Sequence, residues 1–209
     1  DNPEQAKNPF LNRDPRLYET FILDGDKYNG RTAALTEALA SDPVNYPQGA
    51  DWAQGGSTHV LSLGTGLACR KWGLDRNTEW KNRPIQWPFL RLAEIYLSYA
   101  EALNEYNGSP NAQAYDAVDK VRARVGLKGL IESNPGKNME DPNVLMEAIL
   151  NERACELGLE DVRFFDMIRN KRADLFTRPL HGLLIERADG GSGSWSDKPE
   201  DKRGPFPTK

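Results

Sequence analysis

Apolar residues recur at helical spacing between positions 92 and 106. They occupy positions i, i+3, i+4, i+7, i+11 and i+14, with charged and small polar residues between them. The apolar set is Leu92, Ile95, Tyr96, Tyr99, Leu103 and Tyr106. This period predicts an amphipathic helix with one buried stripe. Asn107-Gly108 is predicted to end it, because glycine adopts the left-handed backbone conformation readily.

A second helix is predicted from about Pro110 to Val125. Ser109 is the expected cap, and proline fits the first helical position, where its missing N–H has no partner. The apolar seam is Ala114, Val118, Val121 and Val125, with Gly126 as the stop. The resulting helical hairpin is similar to one tetratricopeptide unit, which buries its seams by stacking on neighbours. No second copy occurs in the sequence, so either an unlike helix of this chain or repeats elsewhere must cover it.

A third helix is predicted to begin at Asp141-Pro142, which repeats the order of capping residue and proline, and to end near Gly158. Its apolar stripe is Met146, Ile149, Leu150, Ala154 and Leu157. Arg153 lies within that stripe. We therefore expect a partly buried guanidinium with carboxylate partners, for which the candidates are Glu156, Asp161 and Asp166.

A short fourth helix is predicted to follow, with Asp161 as its cap. It carries Phe164, Phe165, Met167 and Ile168. Residues 21–86, by contrast, are rich in Gly, Asp, Asn and aromatic residues and show little helical period. Short strands at 60–63 and 68–72 are predicted to pair as a hairpin, and the rest of this region is predicted to form long loops.

Composition narrows the possible functions. The 209 residues carry a net charge of -4, with 28% charged residues, and the mean hydropathy is -0.68. This balance describes an ordinary solvated domain and disfavours a nucleic-acid-binding protein, which would present a basic face. No run approaches the roughly 18 apolar residues of a membrane span. Any membrane attachment is therefore expected outside this sequence.

The cysteines and histidines indicate no metal site. Cys69 and Cys155 are far apart and lack metal-ligand spacing; a disulfide or a pair of buried thiols is compatible with them, and buried thiols are favoured. His59 and His181 are equally distant and lack an accompanying motif, which disfavours metal binding and His-dependent catalysis. We expect no cofactor.

Four segments resemble, in order, the SusD/RagB family, the cell-surface glycan-binding lipoproteins of Bacteroidetes. The segments are residues 12–17 (NRDPRL), 70–72 (RKW), 91–104 (RLAEIYLSYAEALN) and 151–166 (NERACELGLEDVRFFD). In the last of them, Asp161 stands where the family usually has glycine. The family's lipoprotein leader, lipid-carrying cysteine and large helical half are not in this sequence. We therefore expect it to be the C-terminal part of a chain more than twice as long.

The resemblance implies a mostly α, SusD-like fold. We expect one tetratricopeptide-like hairpin plus further helices, with long loops and a small β-hairpin. Residues 1–90 are expected to be loop-rich with short strands, residues 91–172 helical, and residues 173–209 a polar tail. The family resemblance also implies an outer-membrane, surface-exposed location through a lipid anchor outside this sequence.

The implied function is non-catalytic binding of a glycan for delivery to a SusC-like TonB-dependent transporter. Sugar recognition uses flat aromatic faces beside planar polar groups, and the loop region supplies both. Tyr46, Trp52 and Trp80 are the predicted ligand-binding residues, and gap-filling beneath the loops is the alternative for each. Trp72 and Trp87 are predicted to pack in the core. A helical interaction or scaffold module without glycan binding is the alternative function.

A glycoside hydrolase is the remote alternative. Glu152 and Glu156 are one helical turn apart, a separation compatible with a glycosidase pair. Nearby Arg153 and Arg163 would hold both acids ionised, whereas a general acid must stay protonated. We therefore expect structural ion pairing at these positions and no catalytic residues.

Overall fold

The computed structural model describes residues 10, 12–28, 31–35, 44, 49, 67–72 and 88–177. The chain divides into two compact units, one comprising Asp1–Ile85 with Pro179–Lys209 and the other Gln86–Arg178. The described elements are α1 (Pro15–Thr20), β1 (Phe21–Ile22), β2 (Lys27–Tyr28), β3 (Arg31–Thr32), β4 (Ala68–Cys69), α2 (Leu92–Asn107), α3 (Ala112–Ala123), α4 (Pro142–Glu156), α5 (Arg163–Arg169) and α6 (Ala173–Phe176). The predicted mostly α fold is confirmed.

In the first unit, helix α1 is capped by the side chain of the residue that precedes it, Asp14. The Asp14 carboxylate accepts a hydrogen bond from the Arg16 amide at 2.9 Å, and Pro15 occupies the first helical turn. Strand β1 continues directly from α1 and pairs antiparallel with β4, so that Phe21 lies opposite Cys69. Ile22 and Ala68 from this pair are buried in a small apolar core.

The predicted hairpin of strands 60–63 and 68–72 is only partly described. Ala68–Cys69 is a strand, and its described partner is β1; residues 60–66 lie outside the described residues. A small antiparallel pair of strands does occur earlier, where β2 pairs with β3 and Lys27 lies opposite Thr32.

The helices of the second unit begin and end largely where the sequence predicts. Gly108 ends α2 with φ 60°, in the left-handed region. The Asp141 side chain caps α4 by accepting from the Asn143 amide at 2.8 Å. The predicted Ser109 cap is wrong: Asn111 caps α3 by accepting from the Ala114 amide. Asparagine is as good a cap as serine, and it lies nearer the apolar seam of α3.

The core of the second unit is formed by three helices. One face each of α2, α3 and α4 meets around fully buried aliphatic side chains, and the α3–α4 connection covers one end of them. The buried aliphatic residues are Leu97, Val118, Val121, Leu130, Met139, Leu145 and Ile149. Burying each such side chain contributes about 1.5–3 kcal/mol to folding. The predicted hairpin of α2 and α3 therefore finds its unlike partner in α4.

The predicted apolar stripe of α2 is not the face that enters this core. Leu97, Ala100 and Asn104 are buried instead, whereas Leu92 is 60% exposed and Tyr106 is 90% exposed. Of the predicted set, Tyr96 and Leu103 pack against the core. Helix α2 thus has two apolar faces, and the small residue Ala100 marks the one approached by the other helices.

The ends of α4 and α5 also correct the sequence prediction. Leu150 and Leu157 are buried as predicted, but Met146 and Ala154 are only half-buried. Asp161 does not cap α5, because Val162 precedes the helix without a side-chain cap. Asp161 instead has φ 62°, a conformation that favours glycine and that aspartate tolerates better than most residues. This explains how aspartate replaces the family's usual glycine here.

Both cysteines are thiols, but the predicted burial is wrong. Cys69 is half-buried and Cys155 is exposed, since Cys155 lies on the outer face of α4. Among the helices that the structure describes, none combines the length and apolar character needed to cross a lipid bilayer.

Candidate functional site

Arg153 is the centre of an ion-pair network in the second unit. Its side chain is only 4% exposed, and its Nε donates to Asp166 Oδ2 at 2.8 Å. Its Nη1 donates to Ser98 Oγ at 3.1 Å. Asp166 is therefore the predicted partner that the structure confirms. The other two candidates, Glu156 and Asp161, are wrong, because within the described residues neither carboxylate pairs with Arg153.

A tight turn after α4 brings Asp166 back to Arg153. Leu159 and Asp161 both have left-handed backbone conformations, with φ 64° and 62°. These two reversals return the chain so that α5 lies against α4. The pairing of Arg153 and Asp166 therefore depends on the turn as much as on the two charged residues.

Asp166 is shared between two arginines. It is 2% exposed, and its Oδ1 accepts from Arg169 Nη2 at 2.6 Å in addition to the bond from Arg153. Arg169 also pairs with Glu101 of α2. Hydrogen bonding to Glu101 and then to Asp166 outweighs burial and raises the pKa of Arg169. These pairs link α2, α4 and α5.

A second group of ion pairs surrounds Glu156. Arg91 Nη1 donates to Glu156 Oε1 at 2.5 Å, and Arg124 Nη2 approaches the same oxygen at 2.9 Å. The Glu160 carboxylate accepts two hydrogen bonds from the other edge of the Arg91 guanidinium. The distances are 2.7 Å from Nε to Oε2 and 2.8 Å from Nη2 to Oε1. Burial alone would lower the pKa of Arg91, but hydrogen bonds to Glu160 and Glu156 outweigh it and raise the pKa.

Glu152 and Glu156 are both structural ion-pair partners. Glu152 is buried and accepts from Arg122 Nη1 at 2.7 Å. The arginines that hold these two acids therefore come from α3 and from the residues flanking α2 and α3, whereas the sequence suggested Arg153 and Arg163. Both carboxylates are thus committed to ion pairs that hold the helices together.

A cavity of about 200 Å³ opens between α4, α5 and α6. Its wall combines apolar side chains with charged groups and an amide: Glu147, Leu150, Asn151, Arg163, Asp166, Met167, Arg172 and Leu175. Arg163 Nη1 donates to the Leu150 carbonyl oxygen at 3.1 Å. Within the described part of the chain, Arg163 makes no ion pair, so the predicted cluster of Arg153 and Arg163 separates into a buried network and a cavity wall.

The predicted ligand-binding residues Tyr46, Trp52 and Trp80 lie outside the described residues, as does Trp87. Trp72, which was predicted to pack in the core, is half-buried. Sequence reasoning did not identify the cavity or the pairs made by Arg91, Arg122 and Arg169. The Arg and Glu residues of α2–α5 were visible in the sequence, but their partners lie far along the chain.

The sequence model of the SusD family matches residues 1–191. The chain therefore belongs to the SusD family, and the resemblance identified from its four segments is confirmed.

Two SusD-like proteins of Formosa agariphila are similar to this chain. SusD-like protein P38 is 34% identical over 100 residues, which are 46% of this chain and 19% of that protein. SusD-like protein P25 is 38% identical over 106 residues, which are 47% of this chain and 18% of that protein. The matched segments thus span less than a fifth of the length of these curated relatives.

Two crystal structures from Bacteroides fragilis share the fold. A SusD-like protein is 30% identical with a TM-score of 0.62, and the match covers 84% of this chain and 31% of that one. A SusD-like carbohydrate-binding protein is 24% identical with a TM-score of 0.58, covering 82% of this chain and 31% of the other. The mostly α, SusD-like fold of this chain is therefore shared with proteins about three times longer.

Proposed function

We propose that this chain is part of a non-catalytic glycan-binding protein that delivers its ligand to a SusC-like TonB-dependent transporter. The observation that carries the proposal is the match of the SusD family over residues 1–191. The carbohydrate-binding neighbour from Bacteroides fragilis agrees with it through its fold. As a surface protein of this family, it would be held at the outer membrane by a lipid anchor.

The ion-pair geometry supports a non-catalytic role. Glu152, Glu156 and Asp166 are the buried acids of α4 and α5, and each is held by arginine. A retaining or inverting glycosidase needs one carboxylic acid that stays protonated near neutral pH. The network instead fixes the helices of the second unit against one another.

We assign glycan contact to Tyr46, Trp52 and Trp80. Each is bracketed in sequence by polar residues that can hydrogen-bond sugar hydroxyls, and none belongs to a helical stripe. We further propose that residues 1–90 supply the ligand-contacting loops and residues 91–172 the helical scaffold; of the predicted polar tail, residues 173–176 form helix α6 instead.

A helical interaction module is the second candidate function. Helix α2 exposes Leu92, Ile95, Tyr99 and Tyr106 on the side away from its core face. A contiguous apolar face of this kind is typical of a surface that another helix covers. Its proposed occupant is the helical half of the same protein.

A glycan array with the full-length protein tests the first function, followed by thermal melting of the protein with each hit. We expect at least one glycan to raise the melting temperature, because a ligand that binds only the folded state stabilises it. Release of shorter products from a labelled glycan would indicate a hydrolase. A protein that binds no glycan on the array and still captures its helical half would favour the interaction module.

A further inference from the structure

Arg163 uses the Nε and Nη2 edge of its guanidinium differently from Arg91 and Arg172. In Arg91 and Arg172, the edge formed by Nε and Nη2 grips a carboxylate of the chain, Glu160 and Asp174 respectively. Arg163 uses Nη1 for the neutral carbonyl of Leu150. Its Nε and Nη2 have no acceptor among the residues that the structure describes.

The carboxylates on the cavity wall pair with arginines other than Arg163. Glu147 pairs with Arg172 at 2.5 Å. Asp166 is shared between Arg153 and Arg169, at 2.8 and 2.6 Å. Both carboxylates of the wall are therefore engaged by arginines other than Arg163, and Arg172 also pairs with Asp174. The Nε and Nη2 edge of Arg163 is the donor pair on the wall that meets no carboxylate of the described residues.

We propose that this cavity binds the anionic group of an acidic sugar, with the Nε and Nη2 edge of Arg163 as its receptor. Two parallel N–H groups match the two oxygens of a carboxylate or of a sulfate ester. This inference rests on the proposed glycan-binding function and narrows the ligand to acidic glycans.

The rest of the wall is mostly polar. Asn151 places an amide there, and Leu150, Met167 and Leu175 contribute a small apolar area. At about 200 Å³, the space is smaller than the 300 Å³ or so at which sites for drug-sized ligands begin. The cavity therefore fits one terminal or branching acidic residue, while the rest of a glycan lies elsewhere.

The test is an NMR titration in which each sugar probe is added to the 209-residue chain. The amide signals of Leu150 and Met167 report binding. The probes are D-glucuronate, D-glucose 6-sulfate and D-glucose. We expect both signals to shift with one or both anionic sugars and not with glucose. Which anionic probe binds more tightly identifies a carboxylate or a sulfate ester as the preferred group.

The variants isolate the guanidinium edge. Arg163→Gln is expected to weaken anionic-sugar binding by about tenfold or more, the effect of losing a charge-assisted pair. Arg163→Lys keeps the charge but not the two-pronged edge, so an intermediate affinity is expected. Lys137→Gln removes one exposed charge outside the cavity wall and should bind like wild type. Circular dichroism melting confirms that each variant is folded, and Arg163→Lys carries the comparison if Arg163→Gln is not.

Equal affinity of wild type and both Arg163 variants would overturn the inference, as would the absence of shifts with both anionic sugars. If either of these negative outcomes occurs while neutral glycans bind on the array, the cavity is not an acidic-sugar site and the proposed glycan-binding function still holds. Arg163-dependent binding of an anionic sugar, with an array free of glycan hits, would instead support the cavity and reject the wider function.

Discussion

Arg91 and Glu160 form a two-pronged ion pair that joins the residue before α2 to the turn after α4. The two residues are 69 positions apart in sequence. Arg91 simultaneously reaches Glu156, so one guanidinium fixes the end of α4 against the start of the helical hairpin. Such a bridge is specified by neither helix alone and forms only when both are packed.

Replacing Arg153 with alanine is predicted to destabilise the second unit strongly. The change leaves Asp166, which is 2% exposed, with one fewer cation, and a broken buried pair costs about 3–5 kcal/mol. Urea unfolding measured by circular dichroism gives the free energy. Arg169→Ala is the matched control: its side chain is half-exposed, so a smaller loss is expected. Unchanged stability with lost glycan binding would reassign Arg153 to a ligand site.

The outer face of α2 is predicted to drive association of the chain. Ile95 and Tyr99 are exposed on that face. Association would remove this apolar surface from water, which is energetically favourable. Solution scattering should show dimers, or binding of a separately produced helical half. Ile95→Glu with Tyr99→Glu should restore a monomer, whereas Gln113→Glu on α3 should not. A wild-type monomer that ignores the helical half would contradict this prediction.

The three loop aromatics are predicted to carry glycan affinity. Alanine at Tyr46, Trp52 or Trp80 should weaken binding by about 1–3 kcal/mol, by analogy with aromatic residues at other interfaces. Calorimetry with the full-length protein and a glycan identified on the array measures this. Unchanged helical circular dichroism is the control. Wild-type affinity in all three variants would place the site elsewhere.

Tyr115 is predicted to contribute a pH-dependent part of the stability. Its hydroxyl donates to the Met139 carbonyl oxygen at 2.5 Å, and burial, then the charge of Glu140, raises its pKa above the ordinary value of 10.0. A raised folded-state pKa means that this stabilisation is present below pH 10 and is lost as pH rises through the folded value. Tyr115→Phe should cost about 1 kcal/mol near neutral pH.

The measurement for Tyr115 is urea unfolding at a series of pH values. The wild-type chain should lose more stability above pH 10 than Tyr115→Phe does, because phenylalanine has no proton to lose. Parallel curves for the two proteins would exclude this linkage.

Asp161 is predicted to tolerate glycine and to resist β-branched residues. Its φ of 62° costs little for glycine and about 1 kcal/mol or more for most other residues. Asp161→Gly should therefore keep or slightly raise the melting temperature, whereas Asp161→Val should lower it. A melting temperature of Asp161→Gly below that of wild type would show that the aspartate side chain itself stabilises the turn.

Short-range signals predicted the elements well. Gly108 and Asp141 act on the backbone within one helical turn, so their effect on helix ends was readable without tertiary contacts. The failed cap at Ser109 has the same origin, since a competing cap, Asn111, stands two residues away. The four ordered segments likewise indicated the SusD family, because each of them is a run of neighbouring residues whose order and spacing need no tertiary contact to be recognised.

The face of α2 that enters the core was not readable from periodicity. Leu92 and Tyr99 repeat at helical spacing, and so do Leu97 and Ala100, because the helix is apolar on two sides. Only the packing of α3 and α4 against Ala100 decided which side is buried. Small residues allow close helix approach, and that consequence appears only once the neighbouring helices are in place.

The sequence by itself determined helices α2–α5, most of their ends, the family and the arginine-rich composition of α4 and its surroundings, whereas α1 and α6 were not predicted. The tertiary structure decided which carboxylate each arginine meets, as with Arg122 and Glu152, which are 30 positions apart. It also decided that Arg163 faces a cavity while Arg153 is buried in an ion pair. The physical reason is range: capping and left-handed turns act between neighbours, whereas ion pairing depends on distances that only the packed helices set.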